Sequence, residues 1–214
     1  MEKGIRFDLA YDTMPWDEVD TVVFDIGNVL IRFAPEEFVK RLFPGDEQTQ
    51  KLMLERVYFG KYWPEFDRGT MSYEQAAKLL DEEFGGGEAL YLRTLYGWIA
   101  LKTPLEEGWR AARLCKAKGK RICLLSNYPA EGYAALREQY AERFDLFDGA
   151  CISCQIHQVK PNADIYQTLK ETCGVQSGRA VFIDDLLANV EGAMQAGIHG
   201  FHMHEIGMMD RFFR

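Results

Sequence analysis

The sequence predicts an α/β fold, a parallel sheet built from βαβ units with one all-helical insertion. Three observations carry this. Short apolar runs alternate with helical patterns through most of the second half of the chain, the signature of βαβ units around a parallel sheet. Residues 34–102 hold helical periods and no convincing strand, so the insertion falls between the first and second strands. With 214 residues, 47% of them hydrophobic and 27% charged, the chain suits one domain carrying a sizeable insertion, well away from the composition of disordered chains.

The elements follow in order. Residues 1–19 carry no interpretable motif, and Thr21-Val22-Val23-Phe24-Asp25 is the first strand. In the insertion, Ser72 to Gln75 form a capping box, Ala76, Leu80 and Phe84 follow at helical spacing, and Gly85-Gly86-Gly87 breaks the chain before Leu95 and Trp98 resume it. Thr103-Pro104-Leu105-Glu106 combines an N-cap, a proline at the first helical position and a capping-box Glu, which predicts a helix over 104–118 with Leu105, Trp109 and Ala112 on one face. The second strand is Arg121 to Leu125 and the third about 149–152. Lys160-Pro161 opens a helix carrying Ile165 and Leu169, the fourth strand is Ala180 to Ile183, a helix runs from Asp185 to Gly197, and the fifth strand covers about 198–203.

Composition excludes several classes. Lys+Arg 25 against Asp+Glu 33 gives a net charge of -8 with no local basic patch, so nucleic acid is not an expected partner. No window approaches the 18 or so apolar residues of a membrane span, and the opening Met1 to Arg6 runs into Asp8, Asp12 and Asp17 without an apolar signal region. A cytoplasmic protein with no membrane partner is the expectation. Cys115, Cys123, Cys151, Cys154 and Cys173 are odd in number and scattered, which suits reduced thiols. Cys151 and Cys154 form a C-x-x-C that reads as strand, hence as small buried hydrophobes rather than a zinc or redox site. His157 stands alone, and His199, His202 and His204 fall on a strand-like run that sends neighbours to opposite faces, so no metal site is expected there.

Ligands of open α/β sheets bind outside the carboxyl ends of the strands. The first strand ends in Asp25-Ile26-Gly27-Asn28, the second in Ser126-Asn127 and the fourth in Asp184-Asp185, while Lys160 follows the third. Taken singly, Asp25 could cap a turn, Asp184-Asp185 a helix, Ser126-Asn127 could be loop and Lys160 solvated. All four at successive strand ends form a pattern suited to phosphoryl transfer. A carboxylate can attack phosphorus and split one hard step into two. Neighbouring carboxylates can hold Mg2+, a hard cation that prefers oxygen, and hydroxyl, amide and ammonium groups can hold the phosphate oxygens.

In this order of Asp, Ser, Lys and paired acids the chain resembles the haloacid dehalogenase superfamily of hydrolases, the group with a helical cap after the first strand. The resemblance covers about residues 20–205. It implies a Rossmann-like α/β core at 1–33 and 103–214 and an α-helical cap at 34–102. It further implies Asp25 as nucleophile and metal ligand, Lys160 as a second catalytic residue, the Gly27 carbonyl as a metal ligand, and Ser126, Asn127, Lys160, Gly27 and Asn28 as phosphate binders. Asp185 matches the principal acidic metal ligand, Asp184 an auxiliary one and Asn189 the support behind them. Mg2+ is the implied cofactor and a small phosphorylated metabolite the implied partner.

One departure stands out: most phosphatases of the family carry a second Asp two residues after the nucleophile, as general acid and then base, where this chain has Gly27. Asp-Ile-Gly-Asn-Val resembles the Asp-Leu-Gly-Asn-Val opening of sugar-1-phosphate phosphatases, whose anomeric leaving group depends less on a proton donor. Dehalogenases of the family also lack the second Asp but need no magnesium, and Asp184-Asp185 favours the metal-dependent branch. The alternatives are a 2-haloacid dehalogenase and a non-catalytic phosphate-binding module. Arg32, Arg56, Tyr58, Trp63 and Arg68 are candidate substrate contacts, unranked; the oligomeric state is open.

Overall fold

The computed structural model describes residues 14–203. In chain order the elements are β1 (Thr21–Phe24), β2 (Ile31–Arg32), α1 (Pro35–Leu42), α2 (Glu47–Met53), a π-helical turn (Leu54–Tyr58), α3 (Trp63–Arg68), α4 (Tyr73–Phe84), α5 (Glu88–Gly97), a 3₁₀ turn (Trp98–Leu101), β3 (Thr103–Pro104), α6 (Glu106–Ala117), β4 (Arg121–Ser126), α7 (Ala130–Gln139), α8 (Ala141–Phe144), β5 (Gly149–Ile152), α9 (Ser153–Ile156), α10 (Ala163–Cys173), β6 (Ala180–Asp184), α11 (Leu187–Gln195) and β7 (His199–His202). His204, and the outermost parts of the expected core, lie outside the described residues.

The sheet is five-stranded and parallel in the order β5-β4-β1-β6-β7. The expected α/β architecture is therefore present, with β1 central. Strand residues point alternately to the two faces. Val23, Cys123, Leu125 and Phe182 pack under Ile165, Tyr166 and Leu169 of α10. Val22, Phe24, Ile122, Leu124 and Ile183 join a second core that includes Trp109 of α6 and continues into the helical segment through Phe38, Tyr58 and Trp98. The five cysteines are free and buried, and no described helix is long and apolar enough to cross a membrane.

In the helical segment the Ser72 cap forms as expected, with Gln75 N–H donating to Ser72 Oγ (3.2 Å) and Ser72 N–H to Gln75 Oε1 (2.9 Å). Gly85, Gly86 and Gly87 all have positive φ, 66°, 105° and 89°, so the triple glycine is a true chain break. Ala76 and Leu80 are buried, but Phe84 remains exposed beneath the Arg56 guanidinium.

Two helix starts differ from expectation. Thr103-Pro104 caps no helix; it pairs antiparallel with Ile31-Arg32, closing the entry to and exit from the helical segment. Leu105 N–H and Trp109 Nε1–H both donate to the Leu30 carbonyl at 2.8 Å, so the segment is committed to that ladder and α6 starts at Glu106. Lys160-Pro161 likewise opens no helix: both backbone groups of Lys160 bond the Asn127 side chain, and α10 begins only at Ala163. The helix expected from Asp185 starts at Leu187, because Asp184 Oδ1 takes the Leu186 N–H at 2.8 Å.

Candidate active site

Because β4 and β6 flank β1, the residues after these strands converge on one carboxyl edge, the place where such sheets bind ligands. Asp25 follows β1 and is held by its N–H to the Ile183 carbonyl, 2.9 Å. Ser126 ends β4, Asp184 ends β6 and Asp185 follows it. Lys160 arrives from the loop after α9, with its Nζ 2.9 Å from Asp25 Oδ1, 2.6 Å from Asp184 Oδ2 and 3.2 Å from the Leu125 carbonyl. A buried ammonium must be paired to be tolerated. Burial opposes the Lys160 charge, but Asp184 and Asp25 outweigh it and hold its pKa above the ordinary lysine value.

Asp184 is fully buried and its oxygens are engaged by Lys160, the Leu186 N–H and Asn189 Nδ2 (3.0 and 3.1 Å). Its place is therefore behind Lys160 rather than in the cavity, with the Asn189 amide as one of its partners. Asp185 does face the cavity. Its Oδ2 accepts from Asn28 Nδ2 at 3.0 Å, and Asn28 Oδ1 accepts the Phe33 N–H at 2.9 Å. Asn28 has φ 50°, the left-handed region that Asn tolerates better than most residues. Burial raises the Asp185 pKa, the Asn28 bond opposing it. Burial pushes Asp25 up to about 7 against the pull of Lys160, with the Ser126 hydroxyl bond opposing it too. Asn127, expected at phosphate, spends its side chain on the Lys160 backbone while also lining the cavity.

Carboxylate oxygens of Asp25, Asp184 and Asp185 lie within 4.8 Å of one another. Three carboxylates against one ammonium leave two negative charges, and the donors are all hard oxygen, so the residues fit a divalent cation such as Mg2+. At Gly27 an added Cβ would meet only Asp25 Oδ2, at 3.9 Å. The space beside that carboxylate oxygen is thus open.

The cavity above these residues has a volume of about 350 Å³. Its floor is polar, with Asp25, Asn28, Lys160 and Asp185, and its wall is apolar, with Phe33, Trp63, Trp98 and Tyr128 and with Phe59 and Leu186 at the rim. Behind the wall, the buried Lys102 ammonium lies 4.8 Å from the Trp98 ring and 5.6 Å from that of Tyr128, and donates to the Gly132 carbonyl at 2.7 Å. Burial draws its pKa down to about 7. A larger cavity of about 560 Å³, lined by Tyr133, Arg137, Phe144 and Cys154 among others, contains none of the expected site residues.

Of the five candidate contacts in the helical segment and its approach, only Trp63 lines the site cavity. Arg32 pairs with Glu37 at 2.5 Å, Arg56 reaches Tyr91 at 3.3 Å and stacks on Phe84, and the Tyr58 hydroxyl donates to the Thr94 carbonyl at 3.2 Å. Arg68 is half-buried, with its carbonyl bonded to the His157 ring at 2.9 Å.

One lining residue was not anticipated. Asp67, in the last turn of α3, shares the cavity with Asp25 and Lys160, and its Oδ1 is buried without a hydrogen-bond partner. Burial lifts its pKa to about 7, Lys160 pulling down and Asp25 pushing up. The sequence held one signal: an acid in the last turn of a short helix, just before its Gly69 terminator, opposes the helix dipole and gains nothing structurally.

The profile of the haloacid dehalogenase-like hydrolases matches residues 19–197. A sesquiterpene phosphatase of Aspergillus oryzae is 25% identical over 181 residues, 85% of this chain and 88% of that protein. Among solved structures, a haloacid dehalogenase family enzyme of Bacteroides thetaiotaomicron, in complex with magnesium and inorganic phosphate, superposes with TM-score 0.68 at 18% identity, covering 88% of this chain and 95% of that one. The L-2-haloacid dehalogenase of Xanthobacter autotrophicus superposes with TM-score 0.63 at 19% identity, over 86% of this chain and 77% of that one. At these identities the structural likenesses speak for the fold.

Proposed function

The chain belongs to the haloacid dehalogenase-like hydrolase family, and from that premise we propose that it is a Mg2+-dependent phosphatase of a small phosphorylated metabolite, working through an aspartyl-phosphate on Asp25. The observation that carries this is the pairing of a buried Asp25, fixed by Lys160 at 2.9 Å, with a second carboxylate, Asp185, facing the same cavity. An anion-binding floor made of two such carboxylates needs a cation to receive a phosphate dianion, and hard oxygen donors select Mg2+. Asp25, Asp185 and the Gly27 carbonyl would hold it. When bound, it neutralises charge on the transferring phosphoryl group.

The chain's own groups supply the rest. Lys160 holds one oxygen of Asp25, leaving the other beside Gly27 to attack phosphorus while the bond to the ester oxygen breaks. The Lys160 ammonium and the Ser126 hydroxyl steady charge on the phosphoryl oxygens. Water then attacks the phosphorus of the acyl phosphate, releasing inorganic phosphate and restoring the Asp25 carboxylate.

The wall of the cavity speaks for the substrate's body. Its lining is dominated by rings and aliphatic groups, Phe33, Phe59, Trp63, Trp98 and Leu186, with few polar groups besides Asp67; such a surface pairs poorly with the hydroxyls of a sugar phosphate, so an ester with an apolar body fits it better than a sugar 1-phosphate. That a relative at 25% identity is a sesquiterpene phosphatase points the same way. A dehalogenase would bring a substrate carboxylate against Asp25 and Asp185 with no cation between them, which the charge count disfavours.

The test is hydrolysis of p-nitrophenyl phosphate and of a panel of aryl, alkyl and sugar phosphates, with and without Mg2+. Metal-dependent release of phosphate from the apolar esters is expected. Halide release from 2-chloropropionate without phosphatase activity would replace this reading with the dehalogenase, and neither activity would leave a binding module.

A further inference from the structure

We propose that Asp67, carried by the helical insertion, is the proton donor to the leaving oxygen and then the proton acceptor from the hydrolytic water, the role that no side chain fills at Gly27. The inference rests on the phosphatase reading above.

Its first support is the isolation of the group. Asp67 Oδ1 is buried yet has no hydrogen-bond partner, in a cavity it shares with Asp25 and Lys160. Buried polar atoms are nearly always satisfied within native proteins, and exceptions call for a ligand or a chemical role. A substrate oxygen or a water between Asp25 and Asp67 supplies the missing partner.

The second support is how firmly the insertion delivers this residue to the core. The Ser153 hydroxyl donates to the Asp67 carbonyl and accepts the Tyr128 N–H at 2.9 Å, so one buried serine ties α3 to the loop that follows Ser126 and Asn127. Next to it, α3 ends at Gly69 with φ 72°, and a Cβ there would stand 2.4 Å from the Cys154 carbonyl. Only glycine permits both the conformation and the approach. The Arg68 carbonyl bonds the His157 ring at 2.9 Å. Three consecutive residues, 67 to 69, are therefore docked on α9, which is more fixation than a surface helix end needs. Burial, which raises the Asp67 pKa to about 7, gives the carboxyl a proton to lend near neutrality.

The steps balance. Asp25 forms its bond to phosphorus as the phosphorus–ester oxygen bond breaks, the electron pair stays on that oxygen, and the Asp67 proton joins it to give the alcohol. In the second step water bonds to phosphorus, one water proton goes to the Asp67 carboxylate, and the acyl phosphate bond breaks toward Asp25. Asp67 ends protonated, as it began.

The experiment compares wild type, Asp67→Asn, Asp67→Glu and Asp67→Asn/Gly27→Asp with Mg2+, on p-nitrophenyl phosphate and on an alkyl phosphate, by rapid mixing. A good leaving group departs without a proton, so Asp67→Asn should release a burst of one p-nitrophenolate per active site and then turn over slowly as the phosphoenzyme accumulates. With the alkyl ester the first step itself fails: no burst, and a loss of about 10²- to 10⁴-fold, the usual share of general acid–base catalysis. Asp67→Glu, or Gly27→Asp in the double variant, should restore part of the alkyl ester activity. Equal loss on both esters without a burst, or alkyl ester activity within about twofold of wild type, overturns the assignment while leaving the phosphatase reading intact. A wild type without Mg2+-dependent turnover of either ester overturns both.

Discussion

Asn127 and Lys160 hold each other by a reciprocal pair of hydrogen bonds, Nδ2 to the Lys160 carbonyl at 3.0 Å and the Lys160 N–H to Oδ1 at 2.8 Å. The pair spans two loops from different parts of the chain and sets where the Lys160 side chain enters the carboxylate cluster. Asn127→Ala leaves both backbone groups short of partners, at a cost of about 1–3 kcal/mol for a buried group, and lets Lys160 drift. A lower denaturation midpoint and a kcat reduced by about 10- to 100-fold are expected, the scale on which a misplaced catalytic group costs rate. A kcat loss without any loss of stability would instead mark Asn127 as a direct substrate contact.

Asp25→Asn should abolish turnover and leave the fold intact. The side chain keeps its shape, and the buried Lys160 ammonium keeps Asp184 as its partner at 2.6 Å, so the fold holds. Activity with p-nitrophenyl phosphate below detection, with an unchanged circular dichroism spectrum, is the expected pair of results.

The carboxyl edge of the sheet was legible because its signals are local: apolar runs such as Val22-Val23-Phe24 end in Asp25, and Ala180 to Ile183 end in Asp184-Asp185. Short-range capping rules read well where solvent decides, as at Ser72, and misread Thr103-Pro104, where a partner strand 72 residues earlier, Arg32 with Thr103 and Ile31 with Pro104, takes the backbone instead. Lys160 looked like a helix start because the bonds that commit its backbone come from Asn127, 33 residues away. Asp67 carried only a local signal, an acid at a helix C-terminus, which points to no function by itself. Its importance lies in the docking of α3 on α9, and nothing in Trp63-Pro64-Glu65-Phe66-Asp67 reveals which surface that helix will meet.

Metal dependence separates two acidic-motif residues. Both line the cavity, but Asp185 presents a carboxylate there, whereas the Asn189 amide is spent on Asp184. Asp185→Ala should raise the Mg2+ concentration for half-maximal activity more than Asn189→Ala, whose effect is expected at the 10- to 100-fold level of a residue supporting a ligand. Activity titrated against Mg2+ in both variants checks the order; equal shifts would move the metal away from Asp185.

Stability should report the Asp67 proton directly. Its pKa is about 7 in the folded chain against an ordinary 3.8, so the folded state binds the proton more tightly. That contribution favours folding fully below about pH 4 and is lost as pH rises through about 7. Without Mg2+, the stability of wild type relative to Asp67→Asn should therefore fall between those limits and level off above them. Urea titrations of both proteins across this range measure it, and a constant difference would mean that Asp67 titrates normally.

The rim of the cavity tests the substrate's character. Phe59 and Leu186 are 65% and 57% exposed, and both stand at the mouth of the pocket. Exposed apolar side chains at a site mouth gain from a ligand that covers them. Removing Phe59 as Phe59→Ser should leave stability unchanged, because little of the ring is buried to begin with. Fully burying such a ring is worth about 1.5–3 kcal/mol; covering roughly half of it gives about 1 kcal/mol, or roughly fivefold in binding. KM for a long-chain alkyl phosphate should rise by about that factor with kcat preserved, while KM for a short, polar phosphate ester stays where it was. Equal effects on both esters would place Phe59 in the geometry of the floor and not in recognition of the body. No effect on either would mean that the substrate lies deeper, against Trp63 and Trp98, and Trp63→Ala would then carry the discrimination.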